Sequence, residues 1–329
     1  MNIIILGAGT FGTAIANELS FNSGNNVFLY SRNSKKVEEI NTLNTNKICF
    51  PNKQLNKSLT ATTNINDLSK ADIVFIALPS NVIIENLTAL KANFKENVLL
   101  VNLSKGMMSN GVTIVDSIRS DIGFENIVTL KGPSFAVEVM EHADTLLTLG
   151  YDTQNQYELI NSIVKETALH LDYTDDIRGV ELLSVLKNIY ALVIGVVDAK
   201  YNSPNTRFMI LSKAFVEVKK ILKIAGGDEA TLFLACGFGD LCLTSLNDLS
   251  RNRTLGLLIG KGFFNADYKS NSVILEGLRA VNIIYDIIGN DEKKNLPIFN
   301  KIHDFFADKK EDFIIDFDEL VDYKGIKKC

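Results

Sequence analysis

The chain has 329 residues, 46% of them hydrophobic and 22% charged, with a formal net charge of −5. Domains run at roughly 100–200 residues, so the length suits two of them, each able to bury a core. That balance excludes an intrinsically disordered chain and argues against nucleic acid as a partner, while a local basic pocket for a small anion stays compatible with it. The four cysteines (Cys49, Cys236, Cys242 and Cys329) show no CxxC spacing, so neither a zinc site nor a disulfide framework is expected. The apolar run after Met1 stops at Leu6 without a basic lead, and the later run 189–197 is broken by Gly195 and closed by Asp198. Neither suits a signal peptide or a membrane span, so a cytoplasmic protein is expected.

In chain order, short continuous apolar runs fall at 2–6, 27–30, 73–78, 98–103, 127–130, 146–149 and 170–173. Runs of this kind suit strands buried on both faces, as in a parallel sheet. Helical spacing appears between them, at 10–19 and 112–118. Alternation of strand and helix predicts an α/β fold with a doubly wound, Rossmann-type sheet. The pattern changes near Arg178. Beyond it Leu182, Leu183, Val185, Leu186, Ile189, Leu192 and Val193 recur at helix spacing, and further helices are predicted at 205–225, 228–235 and 275–288. The expectation is a dinucleotide-binding domain over 1–178 and an all-helical substrate-binding and catalytic domain over 179–329.

Gly7-Ala8-Gly9-Thr10-Phe11-Gly12 fits G-x-G-x-x-G between a predicted strand and a predicted helix. Gly7 permits the tight turn, Gly9 lets backbone approach a pyrophosphate, and Gly12 lets helix and strand pack closely. The helix N-terminus then offers N–H groups to phosphate. The second strand ends Tyr30-Ser31-Arg32-Asn33, with no acid for the ribose hydroxyls. Arg32 either pairs with a 2′-phosphate or is a solvated turn residue. The first reading gives NADPH as cofactor, with NADH as secondary.

Ser104-Lys105-Gly106 follows one predicted strand and Lys131-Gly132-Pro133-Ser134-Phe135-Ala136 another. Both stand at carboxyl ends of strands, where open α/β sheets bind ligands. Further on, Leu186-Lys187-Asn188-Ile189-Tyr190 sets a lysine in an apolar helix. Such a lysine either snorkels to water or is partly buried, and burial lowers a lysine pKa toward useful acid–base range. Gly237-Phe238-Gly239-Asp240-Leu241 offers a carboxylate in a glycine-rich turn, or a plain helix cap. Ser250-Arg251-Asn252-Arg253 gathers two guanidinium groups with hydroxyl and amide donors, which suits a phosphate monoester or an ordinary basic surface.

In this order the set resembles bacterial NAD(P)-dependent glycerol-3-phosphate dehydrogenases over essentially the whole chain. The resemblance implies that Thr10, Phe11 and Arg32 touch the cofactor and that Lys105 contacts both cofactor and substrate. It implies that Gly132 and Ser134 hold glycerol phosphate and that Ala136 lies on the nicotinamide side. Lys187 matches the family's proton acceptor, and Asp240, Ser250, Arg251 and Asn252 its substrate-side residues. Arg251 also reaches the cofactor, and Ile274 and Glu276 match later cofactor contacts. The implied reaction is reversible hydride transfer between NADPH and dihydroxyacetone phosphate, giving sn-glycerol 3-phosphate for phospholipid synthesis, in a cleft between the domains and with no metal.

The chain departs from the family pattern in having Phe11 where Trp is frequent, and Thr254 and Leu255 where a basic and an aromatic residue are frequent. The phosphate site is thus expected to be less basic, with Arg251 and Arg253 retained. Pairing of helical second domains makes a homodimer a further expectation. Two other readings stay open: a lysine-dependent dehydrogenase of another hydroxy acid, and a non-catalytic NADP-binding sensor, which would need neither Lys187 nor Asp240.

Overall fold

The structure is a computed structural model and describes residues 1–108, 111–263, 272–308 and 313–321, without the side chains of 272–276, 308, 319 and 321. The chain forms two compact units. The first comprises Met1–Met108 and Thr113–Glu181, and the main body of the second starts at Leu182.

In the first unit the strands are β1 (Asn2–Leu6), β2 (Asn26–Tyr30), β3 (Thr60–Thr62), β4 (Ile73–Ile76), β5 (Leu99–Asn102), β6 (Ile127–Lys131), β7 (Thr145–Gly150) and β8 (Leu169–Thr174). The helices are α1 (Thr10–Leu19), α2 (Ser34–Leu43), α3 (Ile83–Leu90), α4 (Ile114–Ser117), α5 (Ala136–Met140) and α6 (Gln154–Val164). One sheet holds all eight strands in the order β3-β2-β1-β4-β5-β6-β7-β8. Successive residues of a strand face opposite sides, and both sides are apolar here. Ile3, Ile5, Ile73, Phe75, Leu99 and Val101 enter one core, which also takes Ile15 and Leu19 of α1 and Ile160 and Ile163 of α6. Ile4, Leu6, Val74, Ile76 and Leu100 enter the other, with Ile83 and Leu87 of α3 and Ile114 and Val115 of α4. Helices on both faces make this the expected doubly wound sheet.

Two features depart from the sequence reading. β3 is a three-residue edge strand, Thr-Ala-Thr, with no apolar run to announce it. The sheet is also not wholly parallel: β6 pairs with β7 antiparallel, and β7 with β8 parallel. The link from β6 to β7 holds only the five-residue α5.

The change of unit falls inside one continuous helix, α7 (Ile177–Tyr201). After it come α8 (Pro204–Ile224), α9 (Asp240–Leu246), α10 (Arg251–Gly260), α11 (Ser272–Ile287), α12 (Asn290–Lys293), α13 (Pro297–Asp308) and α14 (Phe317–Val321). No strand occurs beyond Thr174 among the described residues. By length and composition α7 could cross a membrane, but 94% of its most apolar window is buried by the protein itself, the mark of a core helix.

Glu217 of α8 fastens this core. Its carboxylate accepts from the Tyr190 hydroxyl of α7 at 2.8 Å and from the Ile298 and Phe299 N–H groups that open α13, at 2.7 and 2.9 Å. Burial pushes its carboxyl from the ordinary 4.5 up to about 7, against the three donors that favour the ionised form. The folded state therefore holds a proton over this range that the unfolded chain has released. Glu217's contribution to stability is full below pH 4.5 and declines as pH rises through 7. Glu217→Gln should flatten this slope: between about pH 5 and about pH 8 its Tm should change less than the parent's. Equal slopes by differential scanning calorimetry would refute the assignment.

Candidate active site

The glycine loop joins β1 to α1. Gly7 has φ +115°, and a Cβ there would lie 2.5 Å from the Ala77 carbonyl oxygen, so no side chain fits. A Cβ on Gly12 would lie 2.1 Å from the Gly7 oxygen, which brings helix and loop into direct contact. Gly9 is different: a Cβ there would meet nothing within 4 Å. Gly9 also caps α1 without any side-chain bond to the first turn, whose N–H groups therefore face outward unclaimed by a cap. Open space over a free helix N-terminus fits a pyrophosphate. Thr10 is exposed there, and Phe11 is half-buried against the first core. Arg32, just past β2, is exposed and has no carboxylate partner among the described residues.

The ends of β5 and β6 lead into Lys105 and Gly132. Ser104 donates its N–H to Asn102 Oδ1 at 2.9 Å and its hydroxyl to the Leu78 carbonyl at 2.6 Å, which fixes the backbone before the half-buried Lys105. A Cβ on Gly132 would lie 2.8 Å from the Leu146 oxygen, so β7 presses directly on its backbone. The Ser134 hydroxyl bonds to the Gly132 carbonyl at 3.0 Å, and half-buried Ala136 opens α5.

Behind these two strand ends lies a buried network that the sequence reading did not find. Glu181 accepts from Asn102 Nδ2 at 2.6 Å, the Thr129 hydroxyl at 2.7 Å and the Val115 N–H at 3.1 Å. Lys131 Nζ stands 3.4 Å from it and donates to the Asn102 carbonyl at 2.7 Å. Buried ions are tolerated only when dressed in this way. The available signal was a lysine closing an apolar strand and a glutamate opening an apolar helix.

In the second unit Lys187 does not snorkel. Its side chain is 4% exposed and forms an ion pair with Asp240 Oδ1. It also donates to the Thr244 hydroxyl at 3.2 Å, which in turn donates to Asp240 Oδ1 at 3.2 Å. Asp240 and Thr244 stand four residues apart and so share one face of α9. The glycine-rich turn expected around Asp240 is helical instead. A π-helical turn, Ala235–Gly239, runs straight into α9, and Asp240 is its first residue. The helix expected at 228–235 shrinks to a 3₁₀ turn, Glu229–Phe233. A Cβ on Gly237 would lie 2.2 Å from the Leu232 oxygen, so the glycine lets these two turns pack backbone to backbone.

Ser250 caps α10 by accepting the Arg253 N–H at 3.3 Å. Arg251 is exposed and Asn252 half-buried on the first turn. The two guanidinium groups are not equivalent. Arg253 is buried, with Nη1 2.7 Å from Asp198 Oδ2 and Nε 3.3 Å from Asp248, so its charge is spent inside the protein. Only Arg251 of this pair faces solvent, which corrects the expectation that both serve an anion. Leu255 is buried, while Thr254 is exposed and bonds back to the Ser250 carbonyl at 3.0 Å.

Glycines set the register of α10 on α7. A Cβ on Gly256 would lie 2.0 Å from the Leu192 oxygen and 3.0 Å from the Gly195 Cα, and one on Gly260 would lie 2.7 Å from the Val196 oxygen. Four residues forward on α10 thus match about four forward on α7, so the helices run in the same direction. The first turn of α10, with Ser250, Arg251 and Asn252, points toward the Lys187 end of α7. Ile274 and Glu276 belong to α11, and their side chains lie outside the described residues.

Two family models match the chain: NAD-dependent glycerol-3-phosphate dehydrogenase N-terminus over residues 2–157, and the corresponding C-terminus over 176–312. Glycerol-3-phosphate dehydrogenase (NAD(P)+) of Methanothermobacter thermautotrophicus is 33% identical over 306 residues, covering 92% of both chains. The protein of that name from a Thermoanaerobacter species is 30% identical, covering 95% of this chain and 94% of its own. Among solved structures, glycerol-3-phosphate dehydrogenase of Coxiella burnetii superposes with a TM-score of 0.82 at 25% identity, covering 94% and 95% of the two chains.

The split between the arginines is testable by urea unfolding. Arg253→Met leaves Asp198 buried with only Arg207 beside it and should cost about 3 kcal/mol, the low end for a broken buried pair. Arg251→Ala should stay within about 0.5 kcal/mol of the parent. The reverse ranking would return Arg253 to the surface.

Proposed function

The chain belongs to the NAD-dependent glycerol-3-phosphate dehydrogenase family, and from this we infer that it interconverts dihydroxyacetone phosphate and sn-glycerol 3-phosphate, with NADPH as cofactor and NADH as an alternative. The observation that carries the reading at the level of chemistry is the buried Lys187–Asp240–Thr244 triangle: an ammonium withdrawn from water and held in one place by a carboxylate and a hydroxyl. Reduction of a ketone needs one proton delivered to the carbonyl oxygen, and an ammonium held in this way can deliver it.

When bound, the reduced nicotinamide supplies the hydride to the carbonyl carbon. Lys187 Nζ gives a proton to the oxygen, so that C=O becomes CH–OH, and in the reverse direction it takes that proton back. Asp240 and Thr244 hold Nζ on target, which is the positioning that lets a general acid act without search. Lys105 adds positive charge beside the oxygen as its negative charge grows. Gly132, Ser134, Ser250, Arg251 and Asn252 hold the phosphorylated substrate, with the exposed guanidinium of Arg251 as the charged donor. Binding energy from the phosphate, remote from the reacting carbon, orients the carbonyl.

For the cofactor, Gly7, Gly9, Thr10, Phe11 and Gly12 would cradle the pyrophosphate, and Arg32 would take the 2′-phosphate of NADPH. Lys105, Ala136, Arg251, Ile274 and Glu276 complete its contacts in this reading. The setting is a cytoplasmic enzyme, acting as a homodimer, that feeds glycerophospholipid synthesis.

Lys187→Ala should lower kcat by ~10²–10⁴-fold while the Kd for NADPH, read from nicotinamide fluorescence, stays near the parent's. Near-parental turnover would remove Lys187 from its role. Arg32→Ala should shrink the preference for NADPH over NADH in kcat/KM, and an unchanged ratio would show that the 2′-phosphate is held elsewhere. NADPH oxidation with a non-phosphorylated 2-keto acid but not with dihydroxyacetone phosphate would replace the substrate assignment.

A further inference from the structure

Three donors from the segment after β2 converge on a single carbonyl oxygen of the glycine loop. Lys36 Nζ, in the first turn of α2, donates to Ala8 O at 2.8 Å. Asn46 Nδ2 lies 3.5 Å from the same oxygen and 2.9 Å from the Thr13 hydroxyl of α1. Cys49 Sγ lies 3.7 Å from it. Asn46 is fully buried, and its own carbonyl accepts from Cys49 N–H at 3.0 Å and Phe50 N–H at 2.8 Å, so Asn46 and Cys49 are carried on one tight turn.

A trans peptide sets its carbonyl and its N–H on opposite sides of the C–N bond. The chain has no cis peptide bonds among its described residues, so holding Ala8 O from one side aims the Gly9 N–H to the other. Gly9 is the residue whose missing Cβ leaves open space, at the cap of α1. Ala8 is buried, so its carbonyl oxygen depends on these protein donors rather than on bulk water. We propose that Lys36, Asn46 and Cys49 are positioning residues that clamp the Ala8 carbonyl and thereby aim the Gly9 N–H at the cofactor pyrophosphate. This rests on the dehydrogenase reading above. Because the pyrophosphate is common to both cofactors, the clamp serves NADPH and NADH alike, in contrast to Arg32.

The test is titration of the purified full-length protein with NADPH and with NADH, followed by nicotinamide fluorescence. Lys36→Met should weaken both by the same factor, about tenfold, the loss of one charge-assisted bond. Lys36→Arg should recover most of it, and kcat at saturating cofactor should stay near the parent's. Cys49→Val, which removes the weakest donor, should weaken both by about twofold. Loss confined to NADPH would overturn the clamp in favour of a direct 2′-phosphate contact. Parental affinities in a folded Lys36→Met variant, or a lower Tm with unchanged Kd, would overturn it in favour of a purely structural bond. If the parent itself binds neither cofactor, the dehydrogenase reading fails instead, so the two failures are distinguishable.

Discussion

A charge taken out of water inside an apolar helix must meet its partner or cost several kcal/mol, and α7 is built around that constraint. The helix is apolar enough to be mistaken for a membrane span, yet it carries Glu181, Lys187, Tyr190 and Asp198, all buried. Each is answered from outside α7. Glu181 is answered by the ends of β5 and β6, Lys187 by Asp240 and Thr244 of α9, Tyr190 by Glu217 of α8, and Asp198 by Arg253 of α10 and Arg207 of α8. Apolar packing supplies the bulk of the stability but is tolerant of register. The polar pairs are not, so they decide which turn of each neighbour meets which turn of α7.

Much of this was readable from the sequence because it depends on local pattern. Six of the eight strands announce themselves as apolar runs, with β8 carrying His170 and Asp172 among its apolar residues, and the helical second half by its spacing. The glycine loop is legible because its steric reasons lie within six residues. What was not legible depends on partners far along the chain. A run of apolar residues has no direction, so the reversal of β7 and β8 could not be read from it. Thr60–Thr62 is a strand only because β2 lies beside it. Arg251 and Arg253 look alike in sequence, and only Asp198, on another helix, separates the buried one from the exposed one. The donors on Ala8 come from 28, 38 and 41 residues away, beyond the reach of any local motif.

The separation of the arginines also shows how one helix pair can serve two opposed electrostatic needs. A proton donor has to be held still and kept from exchanging freely with water, which favours burial against a counter-charge. A group that captures a phosphate dianion from solution has to keep its own charge available and in water's reach. In the proposed reading Lys187 would meet the first requirement on α7 through Asp240, and Arg251 the second on the first turn of α10, where it is exposed. The close glycine contacts of Gly195, Gly256 and Gly260 join the two helices backbone to backbone. Larger residues there would push α10 away from α7 and shift Arg251 relative to Lys187.

The net charge of −5 is therefore a poor guide to the site's field. Neutralised cations such as Lys131, Lys187 and Arg253 are structural or acid–base groups whose charge is cancelled nearby. Arg32 and Arg251 are exposed, the first beyond a strand end and the second on the first turn of α10. An acidic surface elsewhere does not offset these positions, because exposed charges more than ~8–10 Å apart are largely screened at physiological ionic strength. In the proposed reading, what would attract phosphorylated ligands to an acidic chain is therefore its exposed, uncancelled cations, Arg32 in the first unit and Arg251 in the second, rather than its overall charge.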